Sequence, residues 1–131
     1  LKLYDHAQLA FKEKRFEDAR RLSERFIKEF PNHFFNPGVY FLIGETFYDE
    51  KKHEDAILAY ETFLKKYPDH EKVKKAKLKQ AYAFIELGDK KTGKVLLQNI
   101  IDKYPASTEA KLAEKKLQEI QPKTSPTKKK R

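Results

Sequence analysis

This sequence predicts an all-α fold, a solenoid of three helix-turn-helix repeats closed by a C-terminal capping helix, and three observations lead there. Pro31, Pro68 and Pro105 each follow an aromatic residue and recur 37 residues apart. Residues 4 to 32 laid on residues 41 to 69 give nine identities in 29 positions, among them Ala19/Ala56, Phe26/Phe63 and Pro31/Pro68. Apolar residues recur every three or four positions, as in Ala56, Tyr60, Phe63, Leu64 and Tyr67, which is the stripe of a helix and not the alternation of a strand. Helical self-similarity at one fixed period marks an array in which each unit packs only on its neighbours.

The units fall at about residues 1–36, 37–73 and 74–106. The first helix of each carries a small residue at one register (Ala7, Gly44, Ala81) and the second carries one at another (Ala19, Ala56, Gly93). Short side chains there let paired helix axes approach to about 8–9 Å. Polar connections at 13–15, 50–52 and 87–89 are short enough to make the paired helices antiparallel, with Gly88 as a left-handed terminator. The aromatic-Pro step then ends each second helix, because proline cannot continue it and restricts the residue before it. Ser107 is a good N-cap for one more helix, 107–120. Its stripe of Ala110, Ala113, Leu117 and Ile120 is narrow and the rest is charged, the pattern of a solvating cap. Residues 121–131, with Pro122, Pro126 and five cations, have nothing to bury and read as a disordered tail.

Composition narrows the function classes. No strictly apolar run exceeds five residues, the length of Val39 to Ile43, far short of the roughly 20 residues of a membrane-spanning helix, so no transmembrane segment is expected. Zero cysteines remove disulfides, thiol catalysis and Cys-ligated zinc. The net charge of +9 divides into +5 for residues 121–131 and +4 for the rest, so specific nucleic-acid binding is not expected of the folded part. Starting at Leu1, the sequence is expected to be an internal piece of a longer chain.

No catalytic motif is present. His6, His33, His53 and His70 lie in different elements with no i, i+4 pair, the four glycines form no phosphate loop, and no metal or cofactor is expected. What remains is surface. An array of helix pairs has an inner wall lined by its first helices, on which a peptide or partner domain can lie. By register that wall presents Tyr4, Gln8, Phe11 and Lys12 from the first unit, Phe41, Glu45, Tyr48 and Asp49 from the second, and Leu78, Tyr82, Ile85 and Glu86 from the third. Phe41 and Tyr48 read equally as core, whereas Phe11 and Ile85 read as core first. The partner-binding set is then Tyr4, Gln8, Phe41, Glu45, Tyr48, Asp49, Leu78, Tyr82 and Glu86. Phe34 and Phe35 are adjacent in a connection, so one of them is a candidate exposed contact. Lysines 72, 74, 75, 77 and 79 read as a solvated face with snorkelling stems, the alternative being a site for an acidic partner. Self-association through the aromatic wall is the structural alternative to partner binding.

The small and aromatic positions Gly44, Phe47, Ala56 and Pro68, and Ala81, Phe84, Gly93 and Pro105, resemble tetratricopeptide repeats (TPR). Ala7, Ala10, Ala19 and Pro31 lack the aromatic, and the period exceeds the family's by three residues, which fall in the connections. Residues 44–68 and 87–117 are similar to the C-terminal TPR domains of the YbgF/CpoB group of the Tol-Pal system, and next to BamD-like outer-membrane assembly lipoproteins. That resemblance implies a non-catalytic interaction module, periplasmic or outer-membrane associated, with a coiled coil upstream. The clamp by which chaperone-binding TPR domains hold a terminal carboxylate would fall on Tyr4/Gln8, Phe41/Glu45 and Leu78/Tyr82, which offer no cation.

Overall fold

The computed structural model describes residues 2–121, so the tail expectation lies outside the described residues apart from Gln121. Seven helices and no strand occur among them: α1 (Lys2–Lys12), α2 (Phe16–Glu29), α3 (Asn36–Asp49), α4 (His53–Lys66), α5 (Val73–Glu86), α6 (Lys90–Lys103) and α7 (Thr108–Ile120). None is long and apolar enough to cross a membrane.

Each pair closes through the same three-residue turn. The amides of Arg15, Lys52 and Asp89 donate to the carbonyls of Ala10, Phe47 and Phe84, and those of Lys14, Lys51 and Gly88 to Phe11, Tyr48 and Ile85, all at 2.8–3.0 Å. This double bond pattern requires a left-handed residue in the middle. Gly88 supplies it at φ 93°, but the first two turns place Lys14 and Lys51 there, at 64° and 65°. A lysine has a Cβ that clashes in this region, at a cost of about 1 kcal/mol. The sequence places those lysines in the turns, at the register of Gly88, but their residue type does not mark them as left-handed.

Within a pair, the small residues do what their register predicts. A Cβ on Gly44 would lie 2.6 Å from the Tyr60 ring, and one on Gly93 would run into Ile85. Phe41, Ala56, Tyr60 and Phe63 fill the second unit, while Leu78, Ala81, Leu97 and Ile100 fill the third.

Between pairs, the connections also repeat. His33 Nδ1 accepts the Phe35 amide and His70 Nδ1 accepts the Lys72 amide, each at 3.0 Å. At the same register Ser107 Oγ accepts the Ala110 amide at 3.0 Å. Each imidazole sits edge-on to a buried ring, Phe26 at 5.3 Å and Phe63 at 5.6 Å. Two of the four histidines thus hold the turns that lead into α3 and α5, where the third connection has the N-cap Ser107, a role legible only in the 37-residue spacing.

The first helices α1, α3, α5 and α7 touch in succession, whereas α2, α4 and α6 do not touch one another. The array therefore bends with its first helices on the inside. Both ends are polar. The face of α3 that meets α2 presents Asn36, Ile43, Thr46 and Glu50, and its counterparts on α1 include His6, Leu9 and Glu13, of which only Leu9 is apolar. By register α7 is the first helix of a further unit, but where Phe41 and Gly44 meet a second helix it carries Lys115 and Gln118. A solvated face of this kind closes a stack instead of extending it.

Candidate functional site

The inner wall is built around one polar knot. Tyr60, fully buried on α4, donates its hydroxyl to the Glu45 carboxylate on α3. Lys79 of α5 meets the same carboxylate at 3.0 Å, and Lys75 approaches its other oxygen at 4.0 Å. Burial, with Glu45 close by, pushes the Tyr60 phenol far above its ordinary range, so it stays a donor. The knot joins the inside of the second unit to the front of the third.

Above it lie two half-buried tyrosines, each with a lysine over its ring. Lys79 Nζ lies 5.0 Å from the Tyr48 centroid and Lys116 Nζ 5.5 Å from that of Tyr82, with the two lysines one repeat apart. Burial first, then the neighbouring Tyr82, Glu86, Asp49 and Glu45, push the Tyr48 hydroxyl up to about 12. Burial and Glu119 raise that of Tyr82. Both phenols are therefore neutral at ordinary pH and present one apolar face and one donor, the combination that suits an interface anchor. Gln8, Asp49 and Glu86 stand exposed beside them.

Three of the expected wall residues turn inward. Phe41 is 5% exposed, packed on Tyr60 and Phe63 with ring centroids 5.9 and 5.5 Å away. Leu78 is 4% exposed in the third unit's core. Their register faces the second helix of their own pair, so the expectation that they meet a partner is corrected. Tyr4, at the same register, is half-buried against Phe26 and Phe35 (5.8 and 5.3 Å), and burial raises its hydroxyl. Glu45 is 8% exposed and its carboxylate is already engaged, which removes it as a hook for a ligand. Phe11 and Ile85 are half-buried, Phe11 edge-on to Phe16 at 5.9 Å.

The connection 30–35 separates its two adjacent phenylalanines, Phe34 and Phe35. Phe34 is 81% exposed and stacked on His33 at 5.2 Å, while Phe35 is half-buried against Tyr4 and Phe26. The lysines in and just before α5 divide as well. Lys72 and Lys75 lie over Phe41, Lys79 over Tyr48, and Lys74 and Lys77 over Tyr104, all within 5.0–5.8 Å. Their stems and charges cover aromatic rings.

Register alone missed the buried polar side chains that lock one unit to the next. Arg20 is 7% exposed, pairs with Glu50 at 2.8 Å, donates to Thr46 at 3.3 Å and lies 4.2 Å over the Phe47 ring. Gln80 donates to the Ile57 carbonyl at 2.9 Å and to Glu61 at 3.2 Å.

The comparisons agree with this architecture. The sequence profile described as Tetratricopeptide repeat matches residues 3–33, 39–70 and 75–107. The fold is similar to a solved structure, "Arabidopsis OM64 TPR domain", at 21% identity, a TM-score of 0.70, and coverage of 89% of this chain and 92% of that one. At that identity the likeness speaks to the fold alone. No curated protein matches the sequence.

Proposed function

The chain belongs to the tetratricopeptide repeat family, and on that premise we propose that it is a non-catalytic module holding a peptide segment or partner domain against the wall of α1, α3, α5 and α7. The observation that carries this is the pair of half-buried, lysine-roofed tyrosines, Tyr48 and Tyr82, set among the exposed Gln8, Asp49 and Glu86. Rings that are already partly ordered lose little entropy on contact, and the polar residues around them give orientation. Phe34 offers a second contact at the edge of the first unit. End-to-end self-association finds no support in the polar outer faces of α1 and α7.

The setting we read for it is a bacterial cell envelope, periplasmic or at the outer membrane, in a Tol-Pal-like system. Its support is the resemblance of residues 44–68 and 87–117 to the YbgF/CpoB group. A photo-crosslinking amino acid placed at Gln8 or Tyr82, compared with one at Leu58 or Val95 on the outward faces of α4 and α6, tests both levels. Adducts with an envelope protein are expected from the inner positions. Adducts from Leu58 and Val95 alone would move the site to the other side of the array.

A further inference from the structure

The turns of the first two pairs border one cavity of about 390 Å³. Phe11 and Phe16, edge-to-face at 5.9 Å across the first turn, form its apolar part together with Tyr48. Lys12, Lys14 and Lys51 form its rim, and Asp49 is the single carboxylate in the lining, which leaves the cavity with a surplus of two positive charges. None of the three lysines makes an ion pair with a described residue, and residues 122–131 contain no Asp or Glu to supply one. Lys52, next in sequence to Lys51, does reach Glu50, at 3.9 Å. The rim lysines thus face solvent without a direct ion pair, outnumbering the one carboxylate of the lining by two, while Glu17, Asp18 and Glu50 lie on the other side of Lys14.

Two of them also occupy the wrong backbone position for a lysine. Lys14 and Lys51 sit at φ 64° and 65°, where the third turn has Gly88. Glycine adopts that conformation without strain, so the turns themselves call for glycine, not for an ammonium group. The two strained residues are also two of the three cations on the rim. Strain at a residue whose side chain borders a cavity motivates a functional reading of that side chain.

We infer that this cavity at the turn edge of the inner wall docks an acidic segment of a partner polypeptide, its carboxylates against Lys12, Lys14 and Lys51 and an apolar neighbour on Phe11 and Phe16. The occupant follows from the chemistry of the lining: three cations around one carboxylate leave a surplus that attracts anions, and an aromatic floor takes a side chain that a free inorganic anion lacks. Tyr48 and Asp49 belong both to this cavity and to the wall proposed above, so the inference rests on that reading and gives the bound segment its direction, acidic end toward the first unit.

The test uses a charge deletion that relieves the backbone. A fluorescein-labelled peptide, N-acetylated and C-amidated, alternating Glu with Leu and Phe, is titrated into the whole chain and into Lys14→Gly/Lys51→Gly. The double variant is expected to melt at a higher temperature yet bind about tenfold more weakly, with a shallower salt dependence. Equal affinity in the two proteins, equal binding of the Gln counterpart of the peptide, or no binding to the wild type would each overturn the inference. Affinity lost in Tyr82→Ala but kept in Lys14→Gly/Lys51→Gly would sink the cavity while leaving the wall reading standing. Affinity kept in both would sink the two together.

Discussion

The junction between the first and second units and the junction between the second and third solve one packing problem with exchanged parts. At the first, the second helix contributes the buried cation Arg20 and the following helix contributes Ile43. At the second, the same two registers hold Ile57 and Gln80, so the polar group has moved to the opposite partner. Arg20 brings Glu50, Thr46 and the Phe47 ring with it, whereas Gln80 needs only the Ile57 carbonyl and Glu61. Each junction therefore tolerates one buried polar side chain facing one isoleucine, and stacking in the wrong order would set Arg20 against Gln80 or isoleucine against isoleucine. A buried donor left without its acceptors costs more than the same donor in water. The chain's short connections fix the order of the units, and these polar pairs, not the apolar stripe that all units share, make the two junctions chemically distinct.

The largest expected effect comes from breaking the exchange at one side only. Ile57→Arg puts a cation beside Gln80, where Glu61 is already engaged by Gln80 and Leu87 stands at the register of Glu50, and should cost about 3 kcal/mol in chemical denaturation. The full transplant Ile57→Arg/Gln80→Ile/Ala83→Thr/Leu87→Glu rebuilds the first junction at the second, where Phe84 already occupies the register of Phe47. It should recover all but about 1 kcal/mol of that loss. A transplant as unstable as the single variant would show that the junctions differ in backbone spacing and not only in side chains. Arg20→Ala, which leaves Glu50 with only the longer contact to Lys52 and uncovers Thr46 and Phe47, should cost about 2–3 kcal/mol against about 1 kcal/mol for Gln80→Ala.

These junctions also mark the limit of what the sequence discloses. The aromatic-Pro steps and the small residues at 7/44/81 and 19/56/93 foretell the helix pairs, because proline and missing side chains act through local sterics that any reader of a sequence can apply. Phe41 and Leu78 were misplaced on the wall because a first helix has two apolar neighbours, its own partner and the next unit, and a 3.6-residue stripe does not say which lies on which side. Arg20 and Gln80 look like ordinary solvated helix residues until a neighbouring unit covers them. Tyr4 and Tyr82 could be placed near the surface because a phenol wants one end wet, whereas Tyr48 read equally as core.

The turns extend the comparison at smaller scale, since Lys14 and Lys51 stand where the third unit has Gly88. Lys51→Gly should raise stability by up to about 1 kcal/mol, and Gly88→Lys should lower it by a similar amount. No change in either variant would mean that the left-handed conformation is not held in solution.

The smallest effect separates the second unit from the third by pH. In the second unit Tyr48, Tyr60 and Tyr67 are held above the ordinary phenol value of 10.0, and in the third Tyr82 is. A folded value above the unfolded one means that the fold binds the phenolic proton more tightly. That contribution is whole below pH 10 and is lost as the pH climbs, for Tyr48 through about 12. The melting temperature should accordingly fall above pH 10, and the fall should be shallower in Tyr48→Phe, whose ring keeps its packing and has no proton to lose. Tyr82→Phe should alter the slope less, because the phenol it removes lacks the Asp49 and Glu45 neighbours that help raise Tyr48. Equal slopes in the two variants would mean that burial alone governs both phenols and that the carboxylates of the inner wall do not reach Tyr48.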